Sequence, residues 1–103
     1  MYRVLQRQEV VYGHYKEAVE LIDEINGLLR SRRMAEFRAW SPTFGKVNEL
    51  ILESEYPDLA TYERESEAFE SDPEIMKVWR SGAPLIVQGS GTSELLEPAP
   101  QLA

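Results

Sequence analysis

The spacing of apolar positions switches along this chain between a two-residue and a three-to-four-residue period, and the switches mark its elements. Residues 2–11 (YRVLQRQEVV) set β-branched and apolar residues among polar ones with no Gly or Pro, which predicts a strand with two differently used faces. Tyr12-Gly13-His14 is a short connection. From Tyr15 to Arg33, apolar residues fall at Ala18, Val19, Ile22, Ile25, Leu28 and Leu29, the stripe of an amphipathic helix. Acids lead this segment (Glu17, Glu20, Asp23, Glu24) and arginines close it, as the helix dipole favours. Gly27 inside the stripe costs about 1 kcal/mol against Ala. It marks either a close backbone approach or a weak point.

Ala35–Trp40 alternates and reads as a strand, and Asn48–Tyr56 alternates again. The turn-rich Ser41-Pro42-Thr43-Phe44-Gly45-Lys46 between them makes the pair a β-hairpin. Pro57-Asp58 opens a second helix with Asp58 as N-cap, and Leu59, Tyr62, Ser66 and Phe69 form its inward stripe. At Ser71-Asp72-Pro73-Glu74 the helix restarts, with a capping residue followed by Pro in the first turn. Ile75, Met76, Val78 and Trp79 follow, and Gly82 and Pro84 end the piece. Gly89-Ser90-Gly91 is a flexible turn, Thr92–Glu97 a last strand, and 98–103 a frayed tail. The order predicts a single α+β domain over residues 1–97. With right-handed crossovers it is the ferredoxin-like βαββαβ arrangement, an antiparallel sheet with its helices on one face.

Such a sheet leaves its second face bare. Opposite Phe37, Leu50 and Leu52 the hairpin carries Glu36, Arg38, Trp40, Glu49, Ile51, Glu53 and Glu55. Strand one adds Arg3, Leu5, Arg7 and Glu9 if Val4, Gln6 and Val10 face the helices. Mixed charges with Trp and Ile among them suit a partly buried, ion-paired contact with a second copy better than open solvent.

Composition narrows the partners. Net charge is −7, from 18 acids against 11 bases, and this opposes binding to polyanions. The one basic cluster, Arg30-Ser31-Arg32-Arg33, closes a helix, where cations belong. Neither nucleic acid nor membrane is expected as a partner. The start of the chain lacks the apolar stretch of a signal peptide, and runs such as Leu85-Ile86-Val87 fall far short of the roughly 20 residues that cross a bilayer. With no cysteine in the chain, a cytoplasmic location is expected.

Residues 37–73 (FRAWSPTFGKVNELILESEYPDLATYERESEAFESDP) resemble the NIPSNAP-like branch of the dimeric α+β barrel superfamily. The shared features are a strand ending Arg-x-Trp, a Ser-Pro…Gly loop, an Asn-Glu-opened strand ending Glu-Tyr, an Asp-Leu-Ala helix start and a Ser-Asp-Pro break. The resemblance implies a homodimer in which two sheets pair face to face, with a small organic ligand between sheet and helices. It implies little about activity, since fold does not fix function.

The chain has one histidine and no cysteine, so a zinc site of the His/Cys kind cannot be assembled. Some barrel relatives hold haem through a histidine on the second helix, and residues 58–81 contain none. No cofactor and no metal are expected. There is no Gly-x-Ser-x-Gly elbow and no Gly-rich phosphate motif. What remains is a pocket lined by Gln6, Trp40, Tyr56, Tyr62 and Trp79, with His14 nearby, suited to a flat organic molecule. Trp79 and Tyr62 also lie on helix stripes that need large core residues whatever else they do. His14 is the one side chain whose ordinary pKa suits proton transfer near neutrality, and it is equally at home as a loop residue. Some superfamily relatives oxidise or isomerise substrates without a cofactor, orienting them with Trp, Asn, His or Arg groups. On that pattern His14 and Asn48 are the catalytic candidates. Three functions therefore stay open: a homodimeric small-molecule-binding domain, a cofactor-independent monooxygenase or isomerase, and a purely structural or regulatory dimer.

Overall fold

A computed structural model describes residues 1–100. The elements follow in the order β1 (Tyr2–Glu9), α1 (Tyr15–Ser31), β2 (Arg38–Trp40), β3 (Glu49–Tyr56), α2 (Leu59–Ser71), α3 (Pro73–Ser81), a 3₁₀ turn (Ala83–Leu85) and β4 (Thr92–Leu96). The sheet has strand order β2-β3-β1-β4, and every neighbouring pair is antiparallel. This is the expected βαββαβ fold, with the second helical unit split in two. From residue 101 onward the expected tail lies outside the described residues.

The local signals explain the boundaries. Asp58 caps α2 by accepting the Thr61 N–H at 2.7 Å. Asp72 ends α2 and starts α3, one carboxylate oxygen accepting from the N–H groups of Glu74 (3.0 Å) and Ile75 (3.1 Å). Its other oxygen takes Arg32 Nε at 2.9 Å, which ties the end of α1 to the start of α3. Gly27 has open space around it, so it is a weak point in α1 and not a close approach.

Two boundaries differ from the pattern. The alternation from Ala35 yields only three strand residues, because Asn26 on α1 engages the Phe37 backbone from both sides. Its Oδ1 accepts the Phe37 N–H and its Nδ2 donates to the Phe37 carbonyl, each at 2.8 Å, so those groups are withheld from β3. The turn at Gly89-Ser90-Gly91 is pinned as well. Ile86 bridges to Val10, Val87 N–H donates to the Glu9 carbonyl at 2.8 Å, and Ser90 Oγ accepts the Glu9 N–H at 3.0 Å. The edge of β1 is thus partnered first by residues 86–87 and then by β4.

The core is one cluster between sheet and helices: Val10, Leu50 and Leu52 from the sheet side, Ala18, Ile22, Ile25 and Leu29 from α1, and Ile75 from α3. Each Val, Leu or Ile side chain among them contributes roughly 1.5–3 kcal/mol on burial. Phe37, Phe69 and Trp79 pack beside it as an aromatic triad, with ring centroids 5.4–6.2 Å apart.

Candidate functional site

The helices do not fill all the space over β1. A cleft of about 540 Å³ opens between the sheet and the α1–α3 side of the helix layer. Gln6 and Gln8 of β1 form its polar floor, beside Leu50 and Leu52. Leu21 and Ile22 of α1 wall one side, and Trp79 and the Gly82–Ile86 segment close the other. A second cleft of about 300 Å³ lies toward α2, lined by Phe37, Tyr56, Tyr62 and Phe69 among others. Gln6, Trp79 and Ser93 line both, so the two lie side by side as a trough divided at Trp79.

The polar groups are few in the larger cleft, more numerous in the smaller one, and differently occupied. Gln8 Nε2 donates to the Leu50 carbonyl at 2.8 Å, which leaves its amide oxygen free. The Gln6 amide makes no hydrogen bond to another described residue. Glu65, in the smaller cleft, spends a carboxylate oxygen on the Ala35 N–H at 2.6 Å. Tyr56 meets Tyr62 edge to face with centroids 5.3 Å apart. Burial pushes the Tyr56 phenol above its ordinary pKa, a hydrogen bond from Ser54 opposing the shift, so it stays a protonated donor. Among the described residues, Arg80 is the one ionisable side chain lining the larger cleft.

Of the residues read as ligand-binding, Gln6, Tyr56, Tyr62 and Trp79 line the trough. Trp40 does not. It pairs with Ile51 on the sheet face away from the helices and is 51% exposed, because alternation puts Ala39, beside Leu52, on the inner face instead. His14 stands at the start of α1 with Nδ1 2.8 Å from Glu17 Oε1, and Asn48 sits at φ 60° in the turn before β3, its carbonyl accepting the Val10 N–H. Neither lines a cleft. Gln8 was legible, since it shares the inward face of β1 with Val4, Gln6 and Val10. Ser93 was not, because its place depends on β4 crossing back to β1, and Arg80 was not, because its place depends on how α3 packs against α1.

The model of the NIPSNAP family matches residues 5–102. Among solved structures, an uncharacterized NIPSNAP domain protein from Burkholderia xenovorans superposes with a TM-score of 0.79 at 20% identity, covering 96% of this chain and 95% of that one. A NIPSNAP family protein from Agrobacterium tumefaciens gives 0.76 at 16% identity, over 96% and 94%. An antibiotic biosynthesis monooxygenase gives 0.72 at 13% identity, over 97% and 100%. At these identities the likeness is one of fold. No curated protein matches the chain.

Proposed function

The chain belongs to the NIPSNAP family, and from that premise we propose that it is a homodimeric cytoplasmic domain that binds a small organic molecule in the trough between sheet and helices. The observation that carries this reading is the larger cleft itself, a mostly aliphatic space floored by two glutamines whose amides keep free hydrogen-bonding capacity. Such a site holds and orients a ligand.

The sheet's other face supports pairing with a second copy. Leu5, Ile51, Trp40 and Leu96 alternate there with ion pairs from Arg3 to Glu53 (3.4 Å) and Glu55 (2.6 Å), and from Arg7 to Glu49 (3.3 Å). A purely structural dimer would fill the space under the sheet, and the cleft speaks against it. A cofactor-independent monooxygenase or isomerase draws support from the fold shared with the antibiotic biosynthesis monooxygenase. The groups such chemistry would use stand apart here, however: His14 and Asn48 outside the trough, Trp40 across the sheet and Trp79 beneath it.

Native mass spectrometry of the protein gently purified from its host tests the proposal. The expected species is a dimer carrying extra organic mass. A bare dimer that takes up no small molecule on titration would overturn the ligand, and a monomer at working concentration would overturn the pairing.

A further inference from the structure

We infer that the larger cleft takes an amphiphilic monoanion, an aliphatic carboxylate whose head pairs with Arg80 while its chain runs inward toward Gln6 and Gln8. The inference rests on the cleft being a ligand site and names what that site accepts.

The lining decides the body of the ligand. Ala18, Leu21, Ile22, Leu50, Leu52 and Leu85 make an aliphatic wall, and Trp79 is the single aromatic ring on it. The aromatic side chains gather in the smaller cleft instead. A space walled by methyl and methylene groups favours a flexible or alicyclic hydrocarbon over a stacked ring.

Charge decides the head. The chain holds 18 acids against 11 bases, and Arg3, Arg7, Arg30, Arg32 and Arg38 each have a carboxylate within 4 Å. Among the described residues Arg80 has no such partner, although acids are in excess, and none of them that lines the cleft it borders is an acid. Arg33 and Arg64 also lack one among the described residues, but neither lines a cleft. A guanidinium beside an apolar space presents paired N–H donors that a carboxylate meets with two parallel bonds. Arg80 also lies in the last turn of α3, where any cation suits the dipole, so the test must separate charge at a helix end from charge toward a ligand. At the inner end, the unpartnered Gln6 amide and the free Gln8 oxygen can meet a hydroxyl or carbonyl along the chain.

Octanoate, 1-octanol and octylammonium share a chain and differ in the head, so their titration by calorimetry reads the head alone. The shift of the Trp79 indole N–H resonance reports the site, and Trp40 on the opposite face is the control. Octanoate should bind about tenfold more tightly than octanol, with octylammonium weakest. Arg80→Gln should bring octanoate down to the level of octanol without changing octanol or the circular dichroism, and Arg80→Lys should keep most of the preference. Equal binding of octanoate and octanol, or an unchanged octanoate affinity in Arg80→Gln, would overturn the carboxylate and leave the cleft as a site for neutral ligands. If none of the three moves the Trp79 resonance, the cleft reading falls with it.

Discussion

Leu52 and Glu53 are neighbours in β3 and are both nearly withdrawn from water, at 1% and 8% exposure, for opposite reasons. Leu52 is dry because the helices cover its face of the sheet. Glu53 points to the face with no helices, and its own sheet shields it: Arg3 on β1 and Arg38 on β2 each bring a guanidinium nitrogen to 3.4 Å from a carboxylate oxygen. One face therefore gains its stability from apolar burial and leaves a void where packing runs out. The other arrives with its charges already paired, which lowers the desolvation that a second sheet would impose on covering it.

Cutting the helix face should do the most damage. Leu52→Ala removes a buried side chain beside an existing cleft and should lower unfolding stability by about 2–5 kcal/mol. That is a large share of the roughly 5–15 kcal/mol typical of a domain. Urea denaturation measures it, and a loss below about 1 kcal/mol would mean that the cleft collapses onto the gap.

Glu53→Ala probes the opposite face. In an isolated chain Arg3 retains Glu55 at 2.6 Å and the exposed Arg38 turns to water, so the loss should be about 1 kcal/mol or less. In a sheet-to-sheet dimer two arginines would be covered with too few acids. Analytical ultracentrifugation should then show association weakened by about 1.4 kcal/mol or more, a tenfold rise in the dissociation constant. An unchanged dimer would place the interface elsewhere.

The staple between α1 and α3 holds the helix layer over the cleft and should matter less than the core. Asp72→Asn keeps the shape of the side chain and loses its charge, so the melting temperature should fall by several degrees. The backbone N–H of Ile75 and the Arg32 guanidinium hold the Asp72 carboxyl below its ordinary value of 3.8. A lowered folded pKa stabilises above the unfolded value and fades as the pH falls through the folded one. The difference between wild type and variant should thus be full at neutral pH and close as the solution is acidified below 3.8. A difference that persists in strong acid would show that charge is not the cause.

The cap at Asp72 was readable from Ser71-Asp72-Pro73-Glu74, as was the order of elements, because caps, alternation and helical stripes are local signals; its tie to Arg32, forty residues away, was not. The face of Trp40 was readable too: counting outward from Phe37 puts Ala39 inside and Trp40 outside, against its assignment to a pocket. What the order of residues hides is closure over distance. The Asn26 side chain that shortens β2, the Ser90 hydroxyl that pins the last turn, and Arg80 at the rim of the cleft take their roles from contacts between segments far apart in the chain. No periodicity reports such contacts.

The smallest effect on stability should come from Gly82, where α3 ends on the wall of the cleft. Its backbone, at φ −82° and ψ −9°, is one that any residue adopts. A Cβ built there would stand 3.2 Å from Leu21 Cδ1, tighter than ordinary contact, and 3.4 Å from Leu21 Cδ2 and from the Trp79 carbonyl oxygen. Leu21 is half-buried and borders the empty space, so its side chain can yield into the cleft. Restricting the unfolded chain gains about 0.4–1 kcal/mol for Gly→Ala at a compatible site, which offsets the crowding. Gly82→Ala should therefore melt within a few degrees of wild type while its narrowed cleft binds octanoate more weakly. A variant that loses more than about 1 kcal/mol would show Leu21 held rigid by its neighbours. The cleft would then be a fixed feature of the packing that no side chain is free to enter.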